Sequence, residues 1–215
     1  MRLFHLPLFI ASFGLISAAA GSPPEILHLR DFTDTKEGVP AEGWTEEADN
    51  IIHLKGNGGD LISKLEYTNF VLEWDWKLTE KANNGIKYWV TKVGGKQWLG
   101  IEYQMIDDLR NEDGLKGGSH ATAALYDIKP PIADKGLKPV GEWNSSKVVV
   151  QNGNIEHWLN GKLVAEADTK GDAWKQLIAA SKFKNKEGFA PGNGKIMLTN
   201  HHDETWFRNI RIEAK

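Results

Sequence analysis

Short runs in which apolar and polar residues alternate recur along this chain, and turn-forming residues separate them. In Phe70–Leu78, which reads FVLEWDWKL, Trp74 and Trp76 share one face while Glu73 and Asp75 share the other. A period of two residues is typical of a β-strand with one buried face. Similar runs occupy residues 85–90, 98–107, 146–167, 194–201 and 205–214.

Turn signals separate several of these runs. The sequences Asn83-Asn84-Gly85, Asn152-Gly153 and Asn160-Gly161 are strong predictors of tight hairpin turns. One segment, residues 173–183 (AWKQLIAASKF), has the spacing of a short amphipathic helix. The pattern therefore predicts an all-β fold, a sandwich or barrel of short antiparallel strands with one short helix.

The first twenty residues have the layout of a secretory signal peptide. Arg2 precedes a mainly apolar run over residues 3–16, and small residues follow at 17–20. The apolar run is shorter than the ~20 residues that a membrane span requires. We therefore expect cleavage after residues 1–20, a single domain over residues 25–215, and a secreted or periplasmic protein without a membrane span.

The composition narrows the expected partners. The net charge is −3 and no block of basic residues is present, so nucleic acid is not an expected partner. The chain has no cysteine, so a hydrophobic core rather than disulfides must stabilise it. Most of its nine tryptophans would serve that core, and two or three could stack on sugar rings in a groove. The sequence leaves the oligomeric state open.

Polar and ionisable residues are concentrated within β-type sequence between residues 100 and 161. Glu102 and Gln104 share one face of their strand, opposite apolar residues that must face the core. These two side chains therefore point either to solvent or into a groove. His120 lies in a long polar loop, residues 107–138, and a loop imidazole is suited to general acid or base chemistry.

Other polar clusters have simpler structural interpretations. His157 shares its strand face with apolar residues, which is typical of a hydrogen-bonded histidine at a core edge. Glu73 and Asp75 lie ~7 Å apart on one strand face, a spacing that glycosidase carboxylates also use, but a solvated charged face explains them better. Residues 201–204 (HHDE) lack the spacing of a zinc site. We expect no metal site and no cofactor, with a divalent ion as an open alternative.

Six groups of residues carry a resemblance to a known family. Their identity and order resemble the 3-keto-disaccharide hydrolase domain family over nearly all of the chain that follows the expected signal peptide. The resemblance implies a concanavalin A-like jelly-roll sandwich of two antiparallel sheets. The groups are Asn83-Asn84-Gly85-Ile86, Gly100-Ile101-Glu102-Tyr103-Gln104 with Asp107-Asp108, His120 with Ala124-Leu125-Tyr126-Asp127, Pro139-Val140-Gly141-Glu142-Trp143-Asn144, His157-Trp158-Leu159-Asn160-Gly161 and Trp206-Phe207-Arg208-Asn209-Ile210-Arg211-Ile212.

The resemblance also implies an activity and a set of site residues. The activity is cleavage of glycosidic bonds in 3-keto-glycosides and disaccharides, by removal of the C2 proton, elimination and hydration. Such chemistry requires a base, donors for the enolate oxygen and an acid. The implied catalytic residues are His120, Glu142 and Glu102. The implied saccharide-binding residues are Gln104, Asp107, Tyr126, Asn144, His201 and Arg208.

Two other function classes are compatible with the same sequence. A carbohydrate-binding module would hold a glycan in the same groove without turnover, and a sandwich fold serves both roles. An envelope interaction domain would scatter its polar residues instead of clustering them. A single cleft holding Glu102, His120 and Glu142 would support an enzyme, whereas their dispersal would argue against one.

Overall fold

Antiparallel strands form most of the chain. The computed structural model describes residue 21 and residues 23–215, so the expected signal peptide lies outside the described residues. The strands are β1 (Glu25–Ile26), β2 (Phe32–Asp34), β3 (Trp44–Glu47), β4 (Ile51–Leu54), β5 (Leu61–Tyr67), β6 (Phe70–Leu78), β7 (Asn83–Val93), β8 (Gln97–Ile106), β9 (Asn144–Gln151), β10 (Asn154–Leu159), β11 (Lys162–Asp168), β12 (Gly194–Leu198) and β13 (Thr205–Ala214).

The described strands form two sheets. The eight-stranded sheet has the order β11-β10-β9-β6-β13-β4-β3, with β1 also paired to β13. The five-stranded sheet has the order β2-β5-β12-β7-β8. Every pairing is antiparallel. Two sheets with one apolar face each bury those faces against each other, so the all-β sandwich predicted from the alternation is confirmed.

The core lies between the two sheets and is rich in aromatic side chains. Trp74 and Trp76 of β6 are each 2% exposed, whereas Glu73 is exposed, as the alternation predicts. The ring of Trp74 meets Tyr103 of β8 edge-on at 4.9 Å between centroids, across the space between the sheets. This packing fixes β8, so that the residues alternating with Tyr103 must face away from the core.

Two of the three predicted turns are confirmed and one is wrong. The pairs Asn152-Gly153 and Asn160-Gly161 have positive φ at both residues and join β9 to β10 and β10 to β11. By contrast, Asn83 already begins β7, and the chain turns before it, where Ala82 N–H donates to Thr79. Because β6 and β7 belong to different sheets, their connection is a crossover and not a hairpin.

The helix is shorter than predicted, and the long loop contains structure that the sequence pattern did not indicate. Helix α1 spans Asp172–Ala180, so it ends three residues before the predicted end at residue 183. The long loop contains two 3-10 turns, Gly114–Lys116 and Gly118–His120, and then runs along the free edge of β8. There the backbone of Gln104 exchanges hydrogen bonds with Ala123 and Ala124. This pairing brings the His120 loop beside Glu102 and Gln104.

His157 is buried within the core, as its apolar neighbours in the strand predict. Its Nε2 lies 2.9 Å from the Tyr88 hydroxyl and its Nδ1 lies 3.0 Å from the Ala123 carbonyl oxygen. Burial lowers the pKa of His157 to about 4. The residue is therefore a neutral, hydrogen-bonded element of the core. No helix within the described part of the chain is long and apolar enough to cross a membrane.

Candidate functional site

Glu102 and Gln104 lie on the outer face of the five-stranded sheet, directed away from the core. Both are nevertheless buried, with exposures of 5% and 1%. A cavity of about 470 Å³ opens beside Glu102, and we call it the Glu102 groove. Of the two orientations open from the sequence, Glu102 thus takes the one that faces a groove, whereas Gln104 is buried on the same face without lining this cavity. The groove is lined by Thr35, Asp60, Lys87, Lys96, Gln97, Trp98, Leu99, Gly100, Glu102, Lys182 and Phe183.

Gly85 makes room for the Glu102 side chain. The cross-strand register places Gly85 opposite Gln104 and next to Glu102. A Cβ atom at residue 85 would lie 2.5 Å from Glu102 Oε1 and 3.0 Å from Glu102 Cγ. The missing side chain therefore lets the carboxylate lie across β7. This close approach, and not a turn, explains the glycine in the Asn-Asn-Gly sequence.

Two ammonium groups accompany the Glu102 carboxylate. Lys87, directly opposite on β7, places Nζ 3.7 Å from Glu102 Oε2. Lys182, which follows α1, lines the same groove and places Nζ 4.0 Å from the centroid of the Tyr126 ring. The groove thus has a carboxylate at its floor with a cation on β7 and a second cation above an aromatic face.

His120 forms a second group of ionisable residues beside this groove. Its Nδ1 lies 3.1 Å from Asp113 Oδ1, and its Nε2 lies 3.6 Å from Asp127 Oδ1. Its ring meets Tyr126 edge-on at 5.2 Å, and the Tyr126 hydroxyl donates to Asp113 Oδ2 at 2.7 Å. Tyr126 N–H in turn donates to the carbonyl of Glu102. Tyr126 therefore links the two groups.

Asp113 is the anion that orients this group. Its partial burial by itself would raise its pKa, but its contacts with Lys116, Tyr126 and His120 outweigh that effect and lower the pKa to about 2. Burial, followed by the hydrogen bond to Asp113, raises the pKa of Tyr126. Asp113 is therefore charged and Tyr126 neutral at neutral pH. The His120 Nδ1 beside Asp113 is buried without a well-aligned hydrogen bond to the described residues, but an imidazole this close to a carboxylate can accept and return a proton once the two are aligned.

Two buried oxygens on this face lack a hydrogen-bond partner among the described residues. They are Gln104 Oε1 and Asn83 Oδ1. Asn83 pairs with Ile106 in register, two positions along from the Gly85–Gln104 pair, so both side chains lie on the same stretch of sheet. A buried polar atom without a partner is costly. Hydroxyl groups of a ligand would satisfy both acceptors.

The structure separates three of the expected site residues from the Glu102 groove. Glu142 lines a different cavity, of about 320 Å³, at the end of β6 and β8. Asp107 lies at that cavity too, where its carboxylate accepts the N–H groups of Lys81 and Leu109. Asn144 is buried, and its side-chain oxygen accepts from Lys138 N–H. Asp107 and Asn144 therefore hold loops in place.

Arg208 and His201 also lie apart from Glu102. Arg208 is on the outer face of the eight-stranded sheet, where its guanidinium covers Trp143 at 4.1 Å and its Nε donates to Asp75 at 3.0 Å. His201 is exposed in the loop after β12. Of the nine residues, Glu102, Gln104, His120 and Tyr126 come together. Glu102 and His120 share a region without Glu142, so the three-residue cleft is only partly formed.

Four residues that lie at the candidate site were not predicted from the sequence. They are Lys87, Asp113, Asp127 and Lys182, and each contacts the Glu102 or His120 group. Lys87 could have been found from the register of β7 and β8, which places it opposite Glu102. The other three lie on loops whose contacts depend on the fold. Within residue 21 and residues 23–215, no group of three or more His, Cys, Asp and Glu side chains is placed to hold a metal ion.

Comparison with known proteins adds three findings. The family model for a 3-keto-alpha-glucoside-1,2-lyase-like domain matches residues 31–213. The 3-keto-disaccharide hydrolase of Bacteroides thetaiotaomicron is 33% identical over 212 residues, covering 83% of this chain and 72% of that protein. A Parabacteroides distasonis structure with a provisional assignment as a glycosyl hydrolase is 28% identical with a TM-score of 0.78, over 87% of this chain and 90% of its own. These matches confirm the resemblance carried by the six groups of residues.

The fold has a more distant relative as well. A Bacillus subtilis protein described as having a galectin-like fold superposes with a TM-score of 0.53 at 11% identity, covering 91% of this chain and 96% of that one. At this identity the likeness concerns the fold alone. With the sheet topology, it confirms the concanavalin A-like, jelly-roll sandwich that the sequence resemblance implied.

Proposed function

Because the chain belongs to the 3-keto-alpha-glucoside-1,2-lyase-like family, we propose that it cleaves the glycosidic bonds of 3-keto-glycosides, disaccharides among them. The relative from Bacteroides thetaiotaomicron is named for that substrate class. The observation that carries the proposal is the joint placement of Glu102 and the Asp113–His120 pair, joined through Tyr126, on one face of the sheet.

The reaction uses the acidity that a ketone gives to its neighbouring C–H bond. A base removes the C2 proton, the electrons of the C–H bond form an enolate with the C3 carbonyl, and the enolate then expels the C1 oxygen, which takes up a proton and leaves as an alcohol. Water adds back at C1, and C2 regains a proton. The sum is hydrolysis with no net oxidation, so the proposal names no cofactor.

His120 is the proposed base at C2. The Asp113 carboxylate lies 3.1 Å from Nδ1 without the geometry of a hydrogen bond, and we propose that substrate binding aligns the two and leaves Nε2 as the proton acceptor. Glu102 and the unpartnered oxygen of Gln104 are the proposed acceptors for sugar hydroxyls. A base of this kind contributes ~10²- to 10⁴-fold to the rate. We further propose that the protein is exported and acts on saccharides outside the cytoplasm.

Release of free sugar from defined substrates tests the proposal. Wild type, His120→Ala and Glu102→Gln would be incubated with 3-keto-trehalose, 3-keto-lactose and the unoxidised parents, and 3-keto-glucose would be quantified. We expect release from the keto sugars only, with both variants impaired by ~10²-fold or more. Tight binding without release would favour the carbohydrate-binding module instead. Equal release by wild type and both variants would refute the residue assignment.

A further inference from the structure

Lys182 has a position that the proton transfers described so far do not explain. Its ammonium lies 4.0 Å from the Tyr126 ring centroid and 5.2 Å from the Phe183 ring centroid, at the wall of the Glu102 groove. Aromatic faces attract a cation without neutralising it. The charge is therefore held in place while its N–H donors stay available to a ligand.

Within the described part of the chain, Lys182 Nζ forms neither a hydrogen bond nor an ion pair. Two lysines close to the same groups do pair: Lys87 with Glu102 and Lys116 with Asp113. A cation beside several carboxylates would gain energy by pairing with one of them. Lys182 pairs with none of these carboxylates. We infer that the backbone of its own segment fixes the position of the ammonium group.

The backbone around Lys182 is held on both sides. Lys182 N–H donates to Asp127 Oδ2 at 2.6 Å, which ties the segment to the loop that carries His120. Ser181 accepts from Phe183 N–H, and the Phe183 ring stacks on Phe189 at 4.0 Å with an interplanar angle of 11°. The segment after α1 is thus anchored by one hydrogen bond to the site and by one aromatic stack beside it.

We propose that Lys182 is a catalytic residue whose ammonium binds the C3 oxygen of the substrate and stabilises the negative charge that develops there when C2 is deprotonated. The inference rests on the proposed function, because it assigns the donor that an enolate intermediate requires. Lys182 hydrogen-bonds the carbonyl oxygen in the ground state and the enolate oxygen afterwards. The C2 proton goes to His120, and no covalent bond to Lys182 forms.

The electrostatics of the groove agree with this role. Lys182 is exposed at the rim of the groove, and partial burial of its ammonium nevertheless lowers its pKa, outweighing the carboxylates of Glu102 and Asp127, which act to raise the pKa. An ammonium placed where negative charge develops stabilises the enolate more than it stabilises the neutral ketone. The same donor would have only a neutral hydroxyl to bind in an unoxidised sugar, so Lys182 would favour ketones in the transition state.

Two substitutions at Lys182 and one at Lys184 test the proposal. Lys182→Met removes the charge and keeps the length of the side chain, whereas Lys182→Arg keeps the charge. Lys184→Met is the matched control, because Lys184 is exposed like Lys182 and lies in the same segment but does not line the Glu102 groove. We expect Lys182→Met to lower kcat on a 3-keto-disaccharide by ~10²- to 10³-fold, as removal of an oxyanion donor does. KM should change by no more than about threefold.

The remaining outcomes separate this role from others. Lys182→Arg should retain most of the kcat, and Lys184→Met should match wild type, with thermal unfolding unchanged in all three. Wild-type kcat in Lys182→Met would refute the role of Lys182 and leave the proposed function standing, whereas an inactive wild type would refute both. Borohydride treatment during turnover should leave Lys182 unmodified. A sugar adduct there would contradict the proposal, because it would show a Schiff base.

Discussion

Replacing Gly85 by alanine tests how closely Glu102 is positioned. The added Cβ would lie 2.5 Å from Glu102 Oε1, whereas ordinary van der Waals contact begins at 3.4 Å. The carboxylate would therefore have to retreat by about 0.9 Å along this contact. The backbone of residue 85 does not have positive φ, so alanine introduces no conformational strain of its own.

The expected loss can be estimated from that displacement. A 1 Å misplacement of a group in an active site costs ~10²-fold in rate, which corresponds to about 2.7 kcal/mol. The same Cβ would lie 3.0 Å from the backbone oxygen of Tyr103 in β8. A strand backbone can move away from such a contact less easily than a side chain can. We therefore also expect a loss of ~1–3 kcal/mol in the free energy of unfolding from overpacking.

The assay compares kcat/KM on a 3-keto-disaccharide with urea unfolding. Gly171→Ala is the matched control, because its Cβ would meet nothing closer than Asp168 O at 3.6 Å. Gly85→Ala should lose about 10²-fold in kcat/KM while staying folded at the assay temperature. Full activity in Gly85→Ala would show that Glu102 either moves without consequence or does not contact the substrate. Either result would refute the claim that activity depends on the room that Gly85 leaves for Glu102.

Three further predictions follow from the surroundings of individual side chains. Because burial lowers the pKa of His157 from 6.5 to about 4, the unfolded chain binds more protons between these values. That contribution to stability is complete above about pH 6.5 and lost toward pH 4. His157→Gln should therefore remove ~3 kcal/mol of the pH dependence of urea unfolding; an unchanged dependence would contradict the neutral, buried state. Asp113→Asn should lower kcat by up to ~10²-fold, because it removes the carboxylate 3.1 Å from the imidazole Nδ1, and wild-type turnover would refute the orienting role. Glu142→Gln and Arg208→Ala should each keep kcat/KM within about twofold of wild type, since both lie outside the Glu102 groove; a large loss in either would mean that the active site extends to another face.

The strands could be predicted because their pattern follows one physical rule. Burial of one face imposes a period of two, and Trp74, Trp76 and Tyr103 obey it. The rule also placed Glu102 and Gln104 on a common face. Alternation could not predict that loops would cover that face. The sequence pattern of two polar residues on a strand is the same whether their side chains face water or line a groove. Their burial depends on the loop that pairs with the edge of β8.

The wrong turn and the separation of the expected site residues have equally specific causes. Asn84-Gly85 has turn composition, but Gly85 is required for the close approach of Glu102, and local propensity does not distinguish the two uses. Glu142 and Arg208 belong to family sequence groups, yet the chain carries them to another cavity and another sheet. The contacts of Lys182 were not predicted, because the sequence placed residue 182 inside the helix predicted over residues 173–183, whereas α1 ends at Ala180. The place of Lys182 depends on Asp127 and on the Phe183–Phe189 stack.

The most direct test of the central claim is the position of hydrogen exchange during turnover. Wild-type protein would cleave a 3-keto-disaccharide in D₂O, and the released 3-keto-glucose would be examined at once by mass spectrometry and NMR. Elimination followed by hydration predicts one deuterium at C2 in each product molecule, with His120→Ala forming it at least ~10²-fold more slowly. Product released at the wild-type rate with its original C2 hydrogen would contradict the account, because direct displacement at C1 never breaks that bond.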